Sequence, residues 1–122
     1  MSGRGYLLLR RAGMVWGIVM GATNDHGMMP AHAHLNLLGW VTLSIMGGFY
    51  VLAGARASTR LAWLNFALSA SGVIIVIPML AQLLAGNTAL GPMMIVPEVL
   101  IVGGMLTFIL NLLKVWRAPA AA

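Results

Sequence analysis

Cysteine is absent, and acidic side chains nearly so: Asp25 and Glu98 are the only two in 122 residues, against seven lysines and arginines. Without thiols there is no disulfide and no thiolate metal site, so a metal can be held only by imidazole, carboxylate, amide or thioether groups. The chain also lacks a serine-histidine-acid set, a phosphate loop and a pair of carboxylates close in sequence, which argues against an independent enzyme. Charged residues make up only 7% of the chain, too few to cover a soluble domain. What is abundant instead is apolar: 61% of the residues, with a mean hydropathy of +0.95. This is the composition of a membrane protein whose first partner is the lipid bilayer. The net charge of +5 then reports topology and not nucleic-acid binding.

A crossing helix needs roughly 20 apolar residues. By that measure the sequence predicts one membrane domain, 1–122, an all-α four-helix bundle with spans near 6–23, 30–53, 61–84 and 92–116. Pro30 suits the first turn of the second span, where its missing N–H is not needed. Pro78 is expected to bend or locally unwind the third. The tail from Arg117 to Ala122 is expected to be disordered. Gly13, Gly17 and Gly21 recur every four residues, which stacks side-chain-free positions on one helix face for close approach of a neighbour. Gly47/Gly48 and Gly103/Gly104 offer similar faces. All seven basic residues (Arg4, Arg10, Arg11, Arg56, Arg60, Lys114 and Arg117) fall on one side of the four-span arrangement. The positive-inside rule therefore places both termini in the cytoplasm and the connections around Asp25 and Asn87 on the outer, periplasmic side. Trp63 and Trp116 become interfacial belt residues, with Trp16 and Trp40 deeper.

That topology collects the polar side chains in one outer layer. His34 lies roughly 6 Å along the axis from Pro30, and Glu98 roughly 9 Å from Pro92. Asn36 and Gln82 fall at similar depth, with Asp25 and His26 at the mouth. The inner half keeps little beyond Asn65 and Asn111. An ionisable residue inside a membrane is a functional candidate that needs a named partner, and the partner assigned to Glu98 is a histidine. His32 and His34, two residues apart, lie about 200° from one another on a regular helix, so only one can face a given site. The pair points to cofactor or metal ligation. On residue chemistry alone, copper or zinc can be held by His34, His32, His26, Asp25 or Glu98, with the thioethers of Met28 or Met29 favouring Cu(I). Met93 and Met94 share this end. A cofactor-free structural or assembly subunit of a larger membrane complex, packed through its glycine faces, is the other reading.

The run His34-Leu-Asn-Leu-Leu-Gly-Trp40, followed by Gly47-Gly-Phe-Tyr50, resembles the second transmembrane helix of the catalytic subunit of haem-copper oxidases, most closely the nitric oxide reductase branch. More broadly the chain resembles small four-span bacterial membrane proteins labelled cytochrome c oxidase subunit I-like. The resemblance implies haem b as cofactor, His34 as an axial ligand, and a place in a bacterial inner membrane. Taken with the histidine pair, it leads to the expectation of a homo-oligomeric protein for electron transfer or for haem or gas sensing, with His32, Asn36 and Glu98 as further cofactor-binding candidates. A redox protein or a quinone would then be its partner. The second axial ligand is open between a histidine of another subunit, His26 and a methionine of the outer layer. The further histidines of a binuclear centre are missing, so oxygen or nitric oxide reduction is not expected.

Overall fold

The computed structural model describes the backbone of residues 3–118 and the side-chain surroundings of residues 10–118. The tail from residue 119 onward, expected to be disordered, lies outside the described residues. Four helical rods follow one another: α1 (Gly3–Thr23), α2 (Met29–Arg56), α3 (Thr59–Leu84) and α4 (Thr88–Arg117). Among the described residues α2, α3 and α4 are long and apolar enough to cross a membrane. The first helix is not one of the three; Arg10 and Arg11, both exposed, interrupt its apolar run. Every boundary lies within a few residues of expectation, and Pro30 sits in the first turn of α2.

The tightest packing joins α3 to α4, antiparallel to one another. It is made by small residues, because between two helices in lipid only close backbone approach adds dispersion contacts. A Cβ on Gly72 would stand 2.6 Å from Ile101 Cγ1 and 3.0 Å from the Pro97 carbonyl oxygen, and one on Gly104 would collide with the Ser69 hydroxyl. Pro97 is fully buried in this seam. Of the two expected outcomes at Pro78, the locally unwound turn does not form: α3 is helical through it. Pro78 is exposed, as is Ile74 one turn before it, so the carbonyl that loses its partner lies on the outer face of the helix.

Within α2, Leu35–Thr42 is wound as a π-helix. This was not foreseen, and it has a geometric consequence. The buried positions Ala31, Leu35, Gly39 and Leu43 recur every four residues. On a regular α-helix each such step drifts about 40° around the axis. The looser π turn offsets that drift and keeps Leu35, Gly39 and Leu43 on the face towards α3, where Gly39 meets Val73. The far end of α2 reaches α4, with Phe49 and Tyr50 packed edge-to-face on Phe108 at 5.2 and 5.8 Å. α1 lies outside this three-helix unit, against α2, with Met20 buried.

Candidate functional site

The connection before α2 turns at Asn24, whose φ of +54° is one that Asn tolerates better than most residues. Asp25 Oδ1 accepts a hydrogen bond from the Gly27 N–H at 3.0 Å, closing an Asx turn, and His26 Nδ1 lies 3.2 Å from the Asn24 carbonyl oxygen. Both side chains are exposed and serve the turn locally. Five residues on, the chain is helical, and the two remaining histidines diverge as their spacing requires.

His32 faces α1. Its ring meets Trp16 edge-on at 6.2 Å, and a Cβ on Gly17 would stand 2.9 Å from its Cε1. Asn36 belongs to the same face. Its Nδ2 donates to the His32 carbonyl oxygen at 3.0 Å and approaches His32 Nε2 to 3.1 Å, while its Oδ1 accepts from Trp40 Nε1 at 2.8 Å. A side chain on Gly13 would collide with that Oδ1. So the expected glycine face is used, at Gly13 and Gly17, to admit a polar cluster; Gly21 meets nothing. Asn36 was expected beside the haem-ligand candidate His34. It sits with His32 instead, because residues two apart on a helix occupy opposite faces.

His34 faces the other way, into a groove of about 440 Å³ between α2, α3 and α4. Each helix contributes positions about four residues apart: Pro30, His34 and Leu38 from α2, Val76 and Leu80 from α3, and Met94, Glu98, Ile101 and Val102 from α4. His34 and Glu98, 64 positions apart in sequence, thus line one groove, although no hydrogen bond or ion pair joins them. His34 Nδ1 is 2.7 Å from the Pro30 carbonyl oxygen. A carbonyl can only accept, so Nδ1 carries a proton, which leaves Nε2 as the ring nitrogen that can offer a lone pair. This is the orientation device of metal-binding histidines, in which one ring nitrogen is anchored and the other offered. Glu98, exposed in the first turn of the α-helical part of α4, adds a carboxyl group to largely aliphatic walls. Of the four methionines at this end, Met94 lines the groove, while Met29 and Met93 are exposed. Gln82 is exposed and takes no part in lining it.

Among the described residues no three histidine, aspartate or glutamate side chains gather into one metal-holding group. The five metal candidates therefore divide: His34 and Glu98 share the groove, His32 faces α1, and His26 and Asp25 remain in the turn. At the opposite end of the bundle two asparagines dismissed as a residue of the inner layer prove to be its main polar ties. Asn111, fully buried, accepts from the Ser58 N–H at 2.7 Å and donates to the Ser58 carbonyl oxygen at 2.9 Å. Asn65, only 2% exposed, donates to the Gly104 carbonyl oxygen at 2.8 Å and accepts from the Tyr50 hydroxyl at 3.3 Å.

No family model, curated protein or solved structure matches this chain.

Proposed function

We propose that this chain is a small haem-b-binding membrane protein that carries electrons or senses haem or a gas, with His34 as an axial ligand. The observation that carries the reading is the anchored imidazole: Nδ1 held by the Pro30 carbonyl, Nε2 free at the groove. The donor chemistry suits haem, since a neutral imidazole ligates the iron while aliphatic walls accept the faces of the macrocycle. When bound, haem b supplies one-electron redox chemistry or a site for a diatomic gas. The chain's own part is positional. His34 would supply the ligand nitrogen, Leu38, Val76 and Leu80 would offer apolar walls beside it, and the Glu98 carboxyl would lie in the same groove. Met94, which lines the same groove, or His34 of a second copy in a homo-oligomer would supply the further ligand.

This reading has the chain in a bacterial inner membrane, with α1 as a fourth span, both termini cytoplasmic and the histidine end periplasmic. It is supported by the segregation of the seven basic residues from the Asn24–Met29 and Gly86–Gly91 connections. Electrons would pass to a redox protein or a quinone. Reporter fusions after Gly27 and after Arg117 test the topology: activity of a periplasmic reporter at the first and of a cytoplasmic one at the second is expected, and the reverse pattern would refute it.

Copper or zinc on His34 and Glu98 is a second reading, favoured by the imidazole and carboxylate in one groove. A dithionite-reduced minus oxidised visible spectrum of the detergent-purified protein separates the two. Sharp α and Soret difference bands are expected. A flat spectrum before and after haemin addition, with copper or zinc found by elemental analysis, would replace haem by metal. A flat spectrum with no metal would leave a cofactor-free subunit.

A further inference from the structure

The end of the bundle away from the histidines contains a second cavity with different chemistry. A cleft of about 360 Å³ opens between the end of α2 and the start of α3. It exists because Gly47, Gly54 and Ala62 leave space, Gly54 with a φ of +53° at the change from the α-helical part of α2 to its closing 3-10 turn Gly54–Arg56. Its walls are aromatic. Trp63, 61% exposed, meets Phe66 edge-on at 6.0 Å, and both line the cleft. At its mouth lie Ser58 and Thr59, whose hydroxyls take no hydrogen-bond partner among the described residues. Arg56, the last residue of α2, and Arg60, in the first turn of α3, flank this connection; both are exposed and stand next to the cleft without lining it.

The charge of this turn is not balanced within the chain. Both acidic residues, Asp25 and Glu98, belong to the histidine end, a helix length away. An apolar cleft that begins among membrane-crossing helices and reaches two free hydroxyls, with an exposed arginine next in sequence to each of the lining residues Ala57 and Thr59, matches an amphiphile with an acyl chain and an anionic head. A lipid of the surrounding leaflet is the amphiphile always present at high local concentration. A zwitterionic headgroup brings its own cation and gains little from the arginines, whereas an anionic one gains from both.

We propose that this cleft binds one anionic phospholipid of the adjacent leaflet, an acyl chain against Trp63 and Phe66 and the headgroup phosphate at Arg56, Arg60 and the Ser58 and Thr59 hydroxyls. The site is independent of any cofactor at His34.

Native mass spectrometry of the full-length protein, released from micelles holding equal phosphatidylglycerol and phosphatidylcholine, tests it. One phosphatidylglycerol should be retained at least fivefold over phosphatidylcholine. The ratio should fall to near unity in Arg56→Gln/Arg60→Gln and stay high in Arg117→Gln, a basic residue outside the cleft. Ala62→Leu, which fills the cleft, should lower retention of both lipids several-fold. Equal retention by the wild type would overturn the proposal, as would a preference unchanged in the double variant or lost equally in Arg117→Gln. Displacement of the lipid by millimolar inorganic phosphate would reduce the site to an anion site and overturn it too, as would a quinone or a partner protein retained in the lipid's place. Should Ala62→Leu lose its helical circular dichroism, the arginine variants alone decide.

Discussion

The two ends of this bundle treat polar side chains in opposite ways. At the Ser58 end Asn65 and Asn111 are buried, and each amide is spent on backbone or side-chain partners. At the histidine end His34 and Glu98 line an open groove, and His34 has only one of its nitrogens engaged. A satisfied, buried amide ties helices together and leaves nothing over to bind a ligand. A half-engaged imidazole at an open groove contributes little to stability and retains its binding capacity. The difference teaches that in so apolar a chain polar residue type alone does not mark the site; the unused valence does.

Four substitutions should break or sharpen that contrast. Asn111→Leu leaves the Ser58 N–H without its partner and the Ser58 carbonyl with only the Ala62 N–H, and an orphaned buried donor costs about 1–3 kcal/mol. It should produce the largest loss of stability, read as a shift in the denaturant midpoint of the reconstituted protein, with haem binding per folded molecule unchanged. Gly104→Ala forces a methyl into Ser69 at the α3–α4 seam, where overpacking costs about 1–3 kcal/mol. The shift in its thermal midpoint should be nearly as large, and Ser69→Gly in the same chain should relieve it. Next comes His32→Ala, which removes the ring packed on Trp16 and Gly17 and should cost about 1 kcal/mol. Trp fluorescence should report a changed α1–α2 contact without loss of ligand binding. Smallest in stability is His34→Ala, within about 0.5 kcal/mol of wild type as expected for an exposed side chain, yet it should abolish haem binding. Were His34→Ala as destabilising as Asn111→Leu, the contrast between the ends would fail.

Much of this was legible in the residues, and the failures are instructive. Helix positions followed from apolar length, the start of α2 from Pro30, and the divergence of His32 and His34 from helical periodicity, all local properties. Depth counting also brought Glu98 to the level of His34, because two helices entering from the same side share a common scale. The π-helical stretch Leu35–Thr42 was not legible, since its looser winding answers to the face α3 presents and not to any residue type within it. Nor was the role of Asn111, whose partner is a backbone group 53 positions away that leaves no side-chain signature. Asn36 was assigned to the wrong histidine because its depth was considered and its angle was not. The small-residue signal was half informative: Gly13, Gly17 and Gly104 meet neighbours closely, while Gly21 and Gly48 meet nothing.

The most direct test of the account is a haemin titration of the purified apoprotein followed at the Soret band, run side by side on His34→Ala and His32→Ala. The account predicts saturable binding by wild type and by His32→Ala, with none by His34→Ala, all three retaining their helical circular dichroism. Saturable binding that survives in His34→Ala and disappears in His32→Ala would contradict it, and would move the site from the Glu98 groove to the contact between α1 and α2.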